Sequence, residues 1–359
     1  TYIGPMVRGD LLEKSGLDAP ETIDDWDKML RAFKKLGVEV PLTLKLNGMD
    51  SGDNFANVSA FLGAFGITGT FFVKDGKVKY GPNEPEYKDY VELMTKWYAD
   101  GLLDKNFTDT DGKRITAIMG NGNGGSAFGS AGGEFGKWIP LLKQVDPNAY
   151  FVPVKYPVKN KGDRPMYGQK TLPVSGFGAS ISAESDNVEI AARLLDFGYS
   201  EEGHMYYNFG TEGVSYTMKD GVPTYTDIIT DNEKNGGLGI GPAMGKYQRA
   251  CYNGPFEQDE NYIYQFYALD EQKKALDLWP DTDALKYKMP LVPMTAEENN
   301  EYTRIMTDVD AYREQVLYKT ITGKMPVSQL DEYYQGIKDR GIERAIEIQQ
   351  AAYDRYLKN

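Results

Sequence analysis

The sequence is short of the residues on which many enzymes and metalloproteins depend. Among 359 residues there is one cysteine, Cys251, and one histidine, His204. A single cysteine excludes an internal disulfide and a zinc cluster, and a single histidine excludes multi-histidine metal sites. Positive charge is also scarce, with 40 Lys and Arg against 53 Asp and Glu, a net charge of −13. An acidic surface repels phosphate backbones, which argues against a nucleic-acid partner. No apolar run reaches the roughly 18 residues of a membrane span. No basic, apolar and small-residue signal peptide stands at Thr1. The chain opens instead on TYIGPMVRGDLL, read as a strand running directly into a helix, so an N-terminal part is expected before Thr1.

Enzyme templates are missing as well. The glycine-rich stretch GNGNGGSAFGSAGGEFGKW, residues 120–138, is not a phosphate-binding P-loop, because Lys137 is followed by Trp138 rather than Ser or Thr. Its glycine spacing does not fit the dinucleotide fingerprint either. Ser-His-Asp catalysis would have to use His204, which stands in an amphipathic helical pattern without a G-x-S-x-G elbow. The stretch FTDTDGKR looks like a calcium loop, but Phe107 and Ile118 occupy places where an EF-hand needs acids. DNEKNGGLGIGP fails similarly at Pro242. No cofactor and no metal are expected.

What is abundant is aromatic: 26 Tyr, 15 Phe and 4 Trp. Tyrosine at this frequency serves a core, and equally a surface that grips polar, ring-shaped ligands. PETIDDWDKMLRAFKKLG reads as a helix capped by Thr22, with Trp26, Met29, Leu30 and Phe33 on its inner face. NEPEYKDYVELMTKWYADG reads as another, capped by Asn83, with Trp97 in its stripe; both tryptophans are expected in the core. Strands are expected at 40–46, in a hairpin at 71–80 and at 149–154. RITAIMGNG reads as a short buried strand that the glycine stretch leaves at its end. GFGASISAESDNVEIAARLLDFGYSEEG reads as strand, turn capped by Ser185 or Asp186, and helix with Val188, Ala191, Leu194 and Leu195 inward. Beyond about residue 295 the pattern is helical almost throughout. Alternating strands and helices followed by a helical layer make an α/β fold.

The segment RGDLLEKSGLDAPETIDDWDKMLRAFK resembles the R-x-D-x-L-x-x-x-G-L-x-x-P-x-T segment of bacterial extracellular solute-binding proteins, family 1, the sugar-capturing lipoproteins of ABC importers related to maltose-binding protein. GFGASISAESDNVEIAARLLDF is similar to the return segment of that family, NFGTEGVSY to its G-x-E-G turn, and the stretch from ITGKMP to QQAAYDRY to the C-terminal signature of its large Gram-positive members. The resemblance implies a two-lobed, Venus-flytrap α/β fold. Residues 1–172 would form the second lobe, 173–294 a return into the first lobe with hinge and cleft-lining loops, and 295–359 C-terminal helices. Family members begin with well over a hundred residues that are not present here, so the first lobe is expected to be incomplete and Ile181, Leu194 and Leu195 under-covered.

It also implies non-enzymatic binding of an oligosaccharide in an interlobe cleft, a transmembrane permease as partner, a monomer, and an extracellular, lipid-anchored location. In the family the loop after the equivalent of the RITAIMGNG strand supplies an aromatic platform. That makes Trp138 the leading contact, with Phe128 and Glu134 beside it. Asp50, Asp53 and Asn54 follow the strand at 40–46 and suit sugar hydroxyls, although turn chemistry uses the same residue types. Phe177, Tyr247, Tyr252, Asn253 and Phe256 complete the candidates. A secreted glycoside hydrolase or lyase, and a binding protein for a peptide or other small polar solute, are the alternatives.

Overall fold

A computed structural model describes residues 3–44, 60–170, 178–231, 233–250 and 254–358. The chain divides into two compact units, one formed by Thr1–Lys170 with Lys274–Asn359, the other by Thr171–Lys273.

The first unit opens on β1 (Ile3–Arg8) and α1 (Gly9–Ser15), as the opening motif implies. α2 (Ile23–Lys35) starts where a capping box forces it to: the Asp25 N–H donates to Thr22 Oγ1 and the Thr22 N–H donates back to Asp25. Its stripe of Trp26, Met29, Leu30 and Phe33 is buried. β2 (Val40–Thr43) follows, then the short α3 (Ala60–Ala64) and a hairpin of β3 (Phe71–Lys74) and β4 (Lys77–Tyr80). α4 (Glu86–Ala99) has Pro85 at its N-cap position with no side-chain cap bond, and Asn83, expected as the cap, closes a single 3-10 turn at Gly81–Asn83. Trp97 is fully buried, and its indole N–H donates to Asp27 Oδ1 at 3.0 Å, joining α4 to α2.

The next stretch corrects the sequence reading. RITAIMGNG is not a strand but most of α5 (Gly112–Gly120), started by Asp111, whose side chain accepts the Arg114 N–H. Ile115, Ile118 and Met119 stand at helical spacing and are buried. The strand lies one step later, inside the glycine stretch itself, as β5 (Gly124–Ser130). A five-residue π-turn, Ala131–Phe135, then leads into α6 (Gly136–Val145), and β6 (Phe151–Pro153) ends the run. The sheet order is β2-β5-β1-β6, with β5 parallel to β2 and antiparallel to β1.

In the second unit, α7 (Val188–Phe197) has Asn187 at its N-cap position with no side-chain cap bond, so neither Ser185 nor Asp186 caps it. No strand occurs at 178–187. α8 (Glu201–Phe209) is capped by Ser200, and β7 (Tyr216–Lys219) pairs with β8 (Val222–Tyr225). α9 (Asp227–Thr230), α10 (Ile240–Met244) and α11 (Glu260–Phe266) complete it. Its core gathers Phe209, Tyr216, Tyr225, Ile229, Met244 and Ala250. α7 contributes no buried residue: Val188 is 49% exposed, Ile190 66% and Leu194 61%, while Ala191 and Leu195 are half-buried. The inward face expected from periodicity has no cover here.

After α12 (Asp270–Leu278) and α13 (Ala284–Tyr287), three long helices finish the first unit: α14 (Ala296–Ile321), α15 (Leu330–Asp339) and α16 (Ile342–Tyr356). They lock onto the hairpin and the 3-10 turn after it through specific bonds. Arg313 donates to Tyr80 Oη at 2.8 Å, Gln350 accepts the Val78 N–H at 2.7 Å, and Tyr333 donates to the Pro82 carbonyl at 3.0 Å. Among the described residues no helix is long and apolar enough to cross a membrane.

Candidate functional site

β2 and β5 run parallel as neighbours, with Leu42 beside Ser126 and Thr43 beside Ala127, so their C-terminal ends reach one edge of the sheet. In α/β proteins that edge is where ligands gather. The turn leaving β5 is held by two side chains. Ser130 Oγ accepts the Gly133 N–H at 2.9 Å; Glu134 Oε2 accepts the Ser130 N–H at 2.7 Å and the Ser130 hydroxyl as well. The same edge carries the start of β1, where Ile3 lies across from Ser130 and Gly4 from Gly129.

Gly125 and Gly129 are needed for space. A Cβ on Gly125 would stand 2.6 Å from the Phe33 ring and 2.8 Å from the Pro41 carbonyl oxygen. On Gly129 it would stand 2.7 Å from Glu134 Cβ and 3.1 Å from the Trp138 indole. Helix α2 and the π-turn therefore press on β5 more closely than any side chain there would permit.

Trp138 is placed differently from the expectation. It is 0% exposed, packs near Phe151 with ring centroids 6.3 Å apart, and donates its indole N–H to Thr116 Oγ1 at 3.2 Å. An indole enclosed on both faces offers no platform to a sugar ring. Phe128 is 8% exposed, stacked on Trp26 at 6.1 Å and edge-on to Phe61 at 5.4 Å, which makes it a core ring too. Glu134 is half-buried and spends Oε2 on the Ser130 turn. These three residues surround the end of β5, but as its support.

In the second unit, Tyr247 is half-buried against the core, and Phe256 is buried edge-on to Tyr207 at 5.5 Å. Asp50, Asp53, Asn54, Phe177, Tyr252 and Asn253 lie outside the described residues.

Two residues at the sheet edge escaped the sequence reading. Ser130 organises the turn, and Trp279, fully buried, stacks on Phe135 at 6.1 Å and donates to the Val154 carbonyl at 3.2 Å. A Cβ on Gly4 would stand 2.4 Å from that indole. Trp279 comes from α12's end, more than a hundred residues away in sequence, so no local pattern links it to β1.

His204 does not assemble a catalytic triad with any described residue. Its Nε2 lies 3.0 Å from Asp259 Oδ2, and Asn208 donates to the His204 and Glu257 carbonyls, tying α8 to the start of α11. No group of three or more His, Cys, Asp or Glu among the described residues is placed to hold a metal ion.

The family model for bacterial extracellular solute-binding proteins matches residues 2–205 of this chain. The chain belongs to that family. Among curated relatives, lipoprotein LipO of Bacillus subtilis is 26% identical over 246 residues, covering 64% of this chain and 46% of LipO. The fructooligosaccharide ABC transporter substrate-binding protein FusA of Streptococcus pneumoniae is 24% identical, covering 98% of this chain and 65% of FusA. The chain thus spans less than two thirds of the length of either relative. Among solved structures, the alginate-binding protein AlgQ2 superposes with a TM-score of 0.72 at 24% identity, covering 98% of this chain and 72% of that one. FusA in complex with kestose gives 0.70 at 21%, covering all of this chain and 73% of that one. This member of the solute-binding family therefore has the mixed helix-and-sheet fold of those proteins.

Proposed function

We propose that this solute-binding protein captures an oligosaccharide without transforming it and delivers it to the transmembrane permease of an ABC importer. Family membership across residues 2–205 carries the reading, and the fold shared with oligosaccharide-binding proteins such as FusA supports it. The protein works as a monomer at the outer cell surface, held by a lipid anchor as the name of LipO indicates for that relative.

Within the first unit, the proposed contact surface is the turn Ser130–Glu134 at the C-terminal edge of β5, which Glu134 holds in shape by accepting the Ser130 N–H and hydroxyl. Asp50, Asp53 and Asn54, which follow β2 in sequence, join it as hydroxyl partners, and Phe177, Tyr252 and Asn253 remain proposed contacts on sequence grounds. Trp138 and Phe128 act as the packed base beneath the turn. Incubating the protein with fructo-, alginate and human-milk oligosaccharides and analysing the mixture by chromatography tests the absence of chemistry. Unchanged saccharides are expected; shortened products would favour a glycoside hydrolase or lyase instead.

A further inference from the structure

On the helical side of the first unit, far along the chain from the β5 turn, a groove of about 410 Å³ opens between the start of α4 and the α15–α16 corner. Its volume falls within the roughly 300–1,000 Å³ of small-ligand sites. One wall is the Tyr334 ring, fixed in place because its hydroxyl donates to the Glu84 carbonyl at 3.2 Å. Burial pushes this phenol up to about 12, so the hydroxyl stays a neutral donor. Asn83 and Gln335 bring carboxamides to the lining; Asp331, Lys338 and Glu343 bring charge of both signs. Lys338 and Glu343 are paired at 2.8 Å, and Asp331 reaches Lys88 at 3.4 Å.

This set selects a chemistry by elimination. A ligand of single charge sign would meet like charge on the same wall, and an apolar one would strip water from three ionised groups, which is costly. A neutral polyhydroxylated ligand fits, since each hydroxyl both donates and accepts, and its C–H face can lie on a ring that needs no ordering on binding. The exposed ion pairs are weak enough to be exchanged for ligand hydrogen bonds.

We propose that this groove is a second, low-affinity site for neutral saccharides, separate from the site at the β5 turn. Photocrosslinking with a diazirine derivative of kestose, followed by digestion and mass spectrometry, locates it. Adducts should appear on residues 331–343, be suppressed by excess unmodified kestose, and fall several-fold in Tyr334→Ala and in Gln335→Ala. Gln335 is exposed on the helix surface, so that variant keeps the fold; Tyr334→Phe should retain most of the labelling. Adducts confined to residues 120–140 would support the proposed function while overturning this groove. Groove labelling unaffected by Tyr334→Ala and Gln335→Ala would overturn it equally.

Discussion

Trp138 is the residue at which sequence and structure part most sharply. An indole at the end of a glycine-rich stretch fits an aromatic platform, but the glycines remove side chains so that neighbours can close over β5, and Trp138 is one of those neighbours. Trp138→Ala should therefore behave like Trp97→Ala, each costing about 3–5 kcal/mol of folding stability in denaturant titrations. A variant that melted like wild type would return Trp138 to the surface. Gly129→Ala, which forces a methyl group against Glu134 and Trp138, should cost about 1–3 kcal/mol.

Asp10 provides a pH handle at the same scale. It takes a bidentate ion pair from Arg8 at 2.6 and 2.8 Å, and both side chains are buried. Burial alone would raise its carboxyl, but Arg8, Lys14 and the Tyr150 N–H outweigh that and hold it below the ordinary value. A depressed folded-state value stabilises the protein above the unfolded value of about 3.9 and loses that stability as pH falls through the lower, folded one. Asp10→Asn should accordingly flatten this part of the acid limb in urea midpoints measured against pH; an unchanged acid limb would remove Asp10 from the account.

Among the elements, helices with both a cap and an apolar stripe were legible: α2 begins at its Thr22 box, and Trp26, Met29, Leu30 and Phe33 are buried as their spacing requires. β5 was not legible, because glycines carry no strand propensity and its pairing with β1 and β2 depends on partners more than eighty residues away. RITAIMGNG is ambiguous because Ile115 to Met119 is too short an apolar run to tell a buried helix from a strand, and the Asp111 cap decides for the helix. In α7 the stripe is legible and Leu194 is exposed, in line with the under-covering that the resemblance implies, while Leu195 is half-buried; a stripe by itself shows which residues could be covered and not whether anything covers them. Replacing Val188, Ile190 and Leu194 together by serine should reduce binding of a hydrophobic dye several-fold with little change in melting temperature. A large fall in melting temperature would show that this face is packed in solution.

For the whole molecule, motif order identified the family, while the candidate site was legible only in part. The stretch at 120–138 reaches the sheet edge, where Ser130 and Glu134 hold the turn and Trp279 arrives from a distant helix. Membership of the solute-binding family, with the fold shared with AlgQ2 and FusA, supports the proposed recognition of a saccharide without chemistry. Isothermal titration calorimetry of this chain with kestose, an alginate oligosaccharide and a human-milk oligosaccharide in turn tests that most directly. Saturable heat is expected for at least one of them, with no heat of a continuing reaction after saturation. No saturable binding to any of the three, or a steady heat flow that persists until the sugar is consumed, would contradict it.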